Sequence, residues 1–155
     1  MRMMRTRILK TVAVCSMMLL AMLLVPSQAQ AAPSITVPAT AAIGSTLPTF
    51  CSTTSTTITV TSTKKNYDLR IRSNTINNPN GKAKNGSGTE MLNSFQYATA
   101  AGGPFTDITA LYVNVFSNQP IGSNINHTVY YRQCVNWGDG AGNFTIGVDY
   151  QVVEL

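Results

Sequence analysis

Among the residues that follow the first 31, only His127 has a side chain whose ordinary pKa suits general acid or base chemistry near neutral pH. It alternates with Asn126 and Thr128 along a predicted strand, and no glycine motif of the nucleophile-elbow type accompanies any serine. A hydrolase or a transferase needs a nucleophile and a base, or a paired acid and base, held close together. The pattern favours a structural or surface histidine, so the sequence predicts a non-enzymatic protein with no catalytic residue.

The carboxylates are dispersed along the chain and form no D-x-D, H-x-H or E-x-x-H spacing. They are Asp68, Glu90, Asp107, Asp139, Asp149 and Glu154. A transition-metal site needs three or four ligands that converge. The sequence therefore predicts no metal site and no other cofactor.

The segment W-G-D-G-A-G-N, residues 137–143, places three glycines around one carboxylate. A calcium loop requires several oxygen ligands at alternate positions, but Asp139 and Asn143 carry the only side-chain oxygens here. A phosphate-binding loop requires another spacing and a following helix, whereas a strand pattern follows. We therefore predict a hairpin turn, in which valine at either of the last two glycines damages folding. The turn residues are Gly138, Asp139, Gly140 and Gly142.

Two aromatic side chains are predicted on the outward faces of strands. Tyr130 shares a face with Arg132, and Phe116 lies opposite the inward Val115. Exposed aromatic rings can stack on sugars or pack against another subunit. The alternative is that a second sheet or a loop covers them. Phe116 and Tyr130 are thus candidate contact aromatics.

Cys51 and Cys134 form an even pair in the chain beyond residue 31, which favours a disulfide in an oxidising compartment. The alternative is two buried thiols. Alternation places Cys134 opposite the apolar face of its strand, whereas a bridge between two sheets points inward. Either a bulge near Gln133 resets the register, or the bridge joins this strand to an outlying segment at Cys51.

Residues 1–31 have the layout of a cleaved secretory signal peptide, with a basic head, an apolar run and small residues before Ala31. The run 11–25 is shorter than the roughly 20 residues that span a bilayer as a helix. We therefore expect a secreted protein, extracellular or at the cell-envelope surface, with no retained membrane anchor. A retained anchor, or a lipid on Cys15, is the less favoured alternative.

Removal of the signal peptide changes the charge balance. Four of the 11 Lys and Arg residues lie within it, and none of the 6 Asp and Glu residues does, so the formal net charge of +5 falls to +1. A nearly neutral domain gives no argument for binding to nucleic acid or to an acidic membrane surface.

Alternating apolar and polar residues predict an all-β protein. The last two predicted strands have the clearest faces, one running from Ile125 to Trp137 and the next from Phe144 to Val152. About seven strands separated by turns are typical of a single antiparallel, immunoglobulin-like sandwich. We assign this domain to residues 45–155, an N-terminal strand or extended arm to residues 32–44, and a long exposed loop to residues 74–88.

The C-terminal hairpin resembles that of exported prokaryotic immunoglobulin-like surface proteins. The resemblance rests on the run Tyr131–Trp137, on Asp139, on the run Ala141–Phe144 and on the alternating tail. The layout of a signal peptide, Thr-rich strands and two cysteines is also similar to that of chaperone-usher pilins and spore coat U-like proteins. The pilin resemblance implies an assembly arm that adds a strand to a neighbouring subunit. Its residues are Ile35, Val37, Ala39, Ala41 and Ile43.

These features predict a secreted, non-enzymatic structural or adhesive cell-surface protein that acts through strand edges and loops. The alternatives are a filament subunit that assembles by donor-strand addition of residues 33–43, or a carbohydrate-binding module. The expected partners are other copies of the chain, other surface proteins or glycans.

Overall fold

The computed structural model describes residues 31–44 and 46–155. Residues Ala32–Leu155 form one compact unit. The predicted signal peptide, apart from Ala31, lies outside the described residues.

The described part of the chain contains ten strands and no helix, which confirms the all-β prediction. Every strand pair is antiparallel. The strands are β1 (Ser34–Thr36), β2 (Cys51–Ser62), β3 (Tyr67–Ser73), β4 (Lys84–Asn85), β5 (Gln96–Ala98), β6 (Thr106–Asp107), β7 (Val113–Gln119), β8 (Gly122–Cys134), β9 (Phe144–Thr145) and β10 (Val148–Glu154).

The strands form a five-stranded sheet of order β1-β2-β8-β5-β6, a three-stranded sheet of order β10-β3-β7, and a small β4-β9 pair. The long strands β2 and β8 bury the β-branched residues Ile58 and Val129, and β3 buries Leu69 and Ile71. These side chains belong to one hydrophobic cluster. The two larger sheets therefore share a core, as in a β-sandwich; an immunoglobulin-like arrangement stays a prediction.

The last two predicted strands do not form the expected hairpin, because β8 pairs with β2 and β5 whereas β10 pairs with β3. β8 also lies three residues earlier in the chain than predicted. β8 ends at Cys134, and the side chain of Trp137 is 78% exposed. The predicted final strand is broken before β10, because the backbone of Gly147 bonds to Asn74 and to the side chain of Asn78 instead of continuing a ladder. The expectation that Trp137 shares the buried face of β8 is wrong.

The segment 74–88 is only partly the exposed loop that the sequence predicts. Asn78 is buried; its side chain donates to the carbonyl of Lys82 and accepts from the amide of Gly147, both at 2.8 Å. Gly81 is buried against the backbone of Ile108 and adopts a φ of 66°. Asparagine side chains here satisfy backbone groups, as they do in turns, and this role allows a polar sequence to pack against the domain.

Candidate functional site

His127 lies in the core, on the inner face of β8. Its Nε2 is 2.8 Å from the hydroxyl of Tyr67 on β3, and its ring lies 4.5 Å from that of Phe116 on β7. Burial lowers the pKa of His127 and raises the pKa of Tyr67, since both charged forms lose hydration. The pair is a neutral contact between two sheets.

Phe116 does not face outward as simple alternation predicts. Leu69 pairs with Phe116 and the adjacent Arg70 pairs with Asn114, so β7 has one extra residue at Val115. A bulge of this kind reverses the alternation and turns the Phe116 ring toward the core. The other candidate aromatic, Tyr130, is half-buried on β8. Its cross-strand partners are Ser55 on β2 and Ala98 on β5.

Two of the six carboxylates hold strands and loops of the three-stranded sheet. Asp68 accepts from the side chain of Asn114 at 2.7 Å and from the amide of Asn118 at 2.9 Å. Asp149 accepts from Arg72 and from the side chain of Asn74, both at 3.1 Å.

Three further carboxylates also have partners on other segments. Asp107 accepts from Gln96 at 2.7 Å, and Glu154 accepts from Ser62 at 3.1 Å. Glu90 accepts from Asn80 and lies 3.3 Å from Lys84 Nζ; its pKa is lowered by these two neighbours, with the Asn80 hydrogen bond the larger cause. Among the described residues no three His, Cys, Asp or Glu side chains converge on a metal-sized site.

Asp139 uses both carboxylate oxygens on backbone amides. Oδ1 accepts from Leu92 at 2.7 Å and Oδ2 accepts from Asn136 at 2.6 Å. The amide of Asp139 in turn donates to the carbonyl of Asn136 at 3.0 Å. The carboxylate therefore closes the turn after β8 and ties it to the segment that carries Leu92.

The turn glycines differ from one another. Gly138 lies next to Leu92. A Cβ added to this glycine would be 2.7 Å from the leucine Cδ1. Gly142 has a φ of 150°, while Gly140 has open space around it and no positive φ. Only Gly142 meets a physical requirement for glycine, because the exposed Leu92 side chain can move away from a Cβ at position 138.

Cys51 and Cys134 are directly opposite each other in the β2–β8 ladder, with their sulfur atoms at bonding distance. Both lie on the outer face of the five-stranded sheet, so the bridge joins neighbouring strands within one sheet. This placement explains the parity of Cys134 without a bulge at Gln133, whose side chain points inward and is buried.

The predicted assembly arm lies against its own domain. Ile35 pairs with Val60 of β2, and Val37 and Ile43 pack against the core. Ala39 and Ala41 are exposed. Residues 37–44 contain no strand.

Four exposed apolar side chains lie on the segments next to the disulfide, and we call this set the apolar end. It comprises Leu47, Phe50, Leu92 and Trp137. The β2–β8 pairing continues past the disulfide, since the amide of Val135 donates to the carbonyl of Phe50 at 3.0 Å. Leu92 joins this surface through Asp139. Alternation along β8 places Trp137 in the core, so the apolar end does not follow from the sequence alone.

Among the described residues no helix is long and apolar enough to cross a membrane. No protein-family model, curated protein or solved structure matches this chain.

Proposed function

We propose that this protein is a secreted, non-enzymatic structural or adhesive surface protein that makes its contacts through the apolar end. The observation that carries the proposal is the grouping of exposed apolar residues. The described residues contain eight large hydrophobic side chains that are exposed, and four of them are at this one end. Single exposed apolar residues are ordinary, whereas a group of them marks an interaction surface.

The apolar end is also held in place before any partner arrives. The disulfide fixes the ends of β2 and β8, and Asp139 fixes the turn that carries Trp137 to the segment that carries Leu92. Ordering of loops at an interface costs free energy, so a surface that is already ordered binds with a smaller loss. This rigidity supports a contact role.

The state of the ionisable groups supports a role without catalysis. His127 is buried and bonded to Tyr67, and each of the six carboxylates has a hydrogen-bond partner in the fold. A general acid or base must instead reach a substrate.

The test compares exposed residues at the apolar end with one that lies elsewhere. Trp137→Ser and Phe50→Ser remove aromatic surface from the apolar end, and Ile76→Ser removes an apolar side chain that is even more exposed, 86% accessible, from another segment. Sedimentation velocity of residues 32–155 measures self-association, and retention on washed cells that express the gene measures adhesion. Because buried aromatic residues dominate interface energies, each apolar-end variant weakens the contact by about tenfold or more.

Ile76→Ser leaves the same contact unchanged. The proposal fails if the wild-type domain neither self-associates nor stays on the cells, or if the apolar-end variants behave like Ile76→Ser. The secreted location rests on the N-terminal pattern and on the disulfide. Mass spectrometry of the exported protein checks it, with a mature chain beginning near Ala32 expected.

A glycan is the second candidate partner, because the exposed indole of Trp137 is a flat surface on which a sugar ring can stack. Phe116, which the sequence analysis offered for this purpose, packs on His127 instead. A glycan array probed with wild-type protein and Trp137→Ser separates the candidates. The glycan is favoured if the wild-type protein binds sugars and Trp137→Ser does not, while the wild-type protein shows neither self-association nor retention on washed cells.

A further inference from the structure

The segment 74–88 contains two Asn-Gly dipeptides, and the fold holds them in different ways. Asn80 precedes Gly81, and Asn85 precedes Gly86. In such a dipeptide the glycine nitrogen can attack the side-chain carbonyl carbon of the asparagine, because glycine has no side chain that crowds its nitrogen. The attack requires a free glycine amide, a carbonyl oxygen on which negative charge is stabilised, and a side-chain nitrogen that is free to leave.

The side chain of Asn85 is held by a hairpin turn. The amide of Asn85 donates to the carbonyl of Thr89 at 3.0 Å. Its Oδ1 accepts from the amide of Thr89 at 2.9 Å, and from the amide and the hydroxyl of Ser87 at 3.1 Å and 2.8 Å. Donors around a carbonyl oxygen stabilise the oxyanion that forms there when the carbonyl carbon is attacked. The turn therefore activates the side chain of Asn85.

The attacking and the leaving nitrogen are both free at this dipeptide. Within the described part of the chain, neither the amide of Gly86 nor Nδ2 of Asn85 donates a hydrogen bond. Gly86 is exposed, so solvent reaches its nitrogen. A Cβ added to Gly86 would have no neighbour within 4 Å, so nothing crowds the attack.

The dipeptide at Asn80 is protected at both nitrogens. The amide of Gly81 donates to the carbonyl of Asn78 at 3.1 Å, and Gly81 is buried against the backbone of Ile108. Nδ2 of Asn80 donates to both carboxylate oxygens of Glu90 at 3.1 Å. Attack by the glycine nitrogen breaks the first hydrogen bond, and loss of ammonia breaks the others. The two dipeptides are identical, so this difference comes from the fold.

We propose that Asn85 is a site of spontaneous modification, at which this asparagine becomes aspartate or isoaspartate, while Asn80 is protected. The nitrogen of Gly86 bonds to Cγ of Asn85 and loses its proton, and Nδ2 leaves with that proton as ammonia. Solvent water then opens the five-membered imide. Opening at one carbonyl gives aspartate, and opening at the other gives isoaspartate, whose main chain runs through the former side chain. The reaction consumes only water and needs no oxidant or reductant.

The two products change the hairpin in charge and in backbone length. Aspartate keeps the acceptor contacts of Asn85 and carries a full negative charge, which strengthens these hydrogen bonds. Isoaspartate adds an atom to the main chain at the end of β4, where Asn85 pairs with Phe144 of β9. The β4–β9 pair therefore loosens as the protein ages. This site does not depend on the proposed contact function, since the apolar end lies on other segments.

Peptide mapping by mass spectrometry measures the reaction. The protein is incubated in mildly alkaline buffer with its disulfide intact. Trypsin then cleaves after Lys82 and Lys84, so the two asparagines fall on separate peptides. Fragmentation that distinguishes isoaspartate from aspartate identifies the products. We expect Asn85 to react at least about tenfold faster than Asn80, which is the effect of one or two hydrogen bonds on a rate.

Three variants locate the reaction and its cause. Asn85→Gln abolishes the product, because the longer side chain cannot form the five-membered imide. Asn80→Gln makes the same change at the other dipeptide and leaves the product unchanged. Ser87→Ala keeps both backbone amides and removes the hydroxyl donor to Oδ1, so we expect the rate at Asn85 to fall about fivefold. The comparison of Asn85 with Asn80 in one wild-type sample does not depend on whether a variant folds.

Unfolding of the wild type in urea is the control for the fold, and we expect the two asparagines to react there at similar rates. The proposal is overturned if Asn80 reacts as fast as Asn85 in the folded protein, or if product at Asn85 forms only in the unfolded protein. It is also overturned if urea leaves the ratio of the two rates unchanged, because the difference would then come from the sequence. A Ser87→Ala variant that reacts as fast as the wild type contradicts activation by the turn.

Discussion

The hydrogen bond between His127 and Tyr67 joins a strand of the five-stranded sheet to a strand of the three-stranded sheet. The Tyr67 ring meets the imidazole edge-on, while the Phe116 ring lies beside it at a tilt. Polar groups within a core must find partners, and a pair that does so favours one arrangement of the sheets over others. We therefore infer that His127 specifies how the two sheets pack.

The same pair makes stability dependent on pH. His127 has a lowered pKa in the fold, whereas in the unfolded chain it titrates near its ordinary value of about 6.5. Between these two values the unfolded state holds more protons, so the free energy of unfolding falls as the pH falls below about 6.5. Above that value both states are neutral and this histidine contributes no dependence. Urea unfolding of the wild type across this range measures the effect.

His127→Gln is the matched variant, because glutamine keeps a hydrogen-bonding group near Tyr67 and does not titrate. We expect this variant to lose less stability than the wild type between about pH 7 and pH 5. The carboxylates titrate in both proteins, so the difference isolates the histidine. Equal losses in the two proteins contradict the assignment.

Alternation along β8 places His127 on the same face as Ile125 and Val129, so its burial follows from the sequence once the strand is recognised. The hydrogen-bond partner of His127 cannot be predicted from the sequence in the same way. Tyr67 is 60 residues away along the chain, and only the packing of the two sheets brings the two side chains together. The same limit applies to Asp139, whose turn role is local and predictable, while its bond to Leu92 depends on a segment that is distant in the sequence.

At the scale of the element, the turn after β8 distinguishes two glycines that the sequence treats alike. Gly142 has a φ of 150°, which a β-branched side chain rarely adopts, so Gly142→Val costs about 1–3 kcal/mol. Gly140 has an ordinary φ and open space, so Gly140→Val changes stability by no more than about 0.5 kcal/mol. Chemical denaturation of the two variants checks the difference. Equal losses of stability in the two variants would contradict the backbone conformation that the structure gives to this turn.

The longer strands are predictable and the short ones are not, for a physical reason. β2, β3, β8 and β10 alternate over at least seven residues, which is long enough for the period of two to emerge from the sequence. β4, β6 and β9 contain two residues each and have no period to recognise. The bulge in β7 is hidden as well, because the extra residue is defined only by its partner strand.

At the scale of the whole molecule, the β2–β8 pair organises the chain. Its two strands are distant in sequence, and the disulfide at their ends closes a loop with a separation of 83 residues. In the chain-entropy model such a loop stabilises the fold by about 4.5 kcal/mol. The sequence predicts that the two cysteines pair, but it does not predict where Cys51 lies. The outward position of Cys134 on its strand fits a bridge to an outlying segment as well as a bridge to a neighbouring strand.

The N-terminal arm provides the last prediction. Ile35, Val37 and Ile43 are partly buried against the core, and β1 covers the edge of β2. Deletion of residues 32–44 removes this apolar contact, so we expect the free energy of unfolding to fall by about 3 kcal/mol. It also exposes the edge of β2, and an uncovered edge promotes pairing with other chains. Denaturation measures the first effect, and sedimentation velocity measures the second.

The same deletion decides between an arm that completes its own domain and an arm that completes a neighbour. In the first case the full domain does not polymerise through the arm, and a peptide of residues 33–44 added to the truncated domain restores its stability. In the second case the full domain forms filaments and the truncated domain does not, because the donor strand of the filament alternative is missing. The pairing of β1 with β2 of its own chain leads us to expect the first result. A truncated domain as stable as the full one contradicts both cases, since each requires the arm to bury Ile35, Val37 and Ile43.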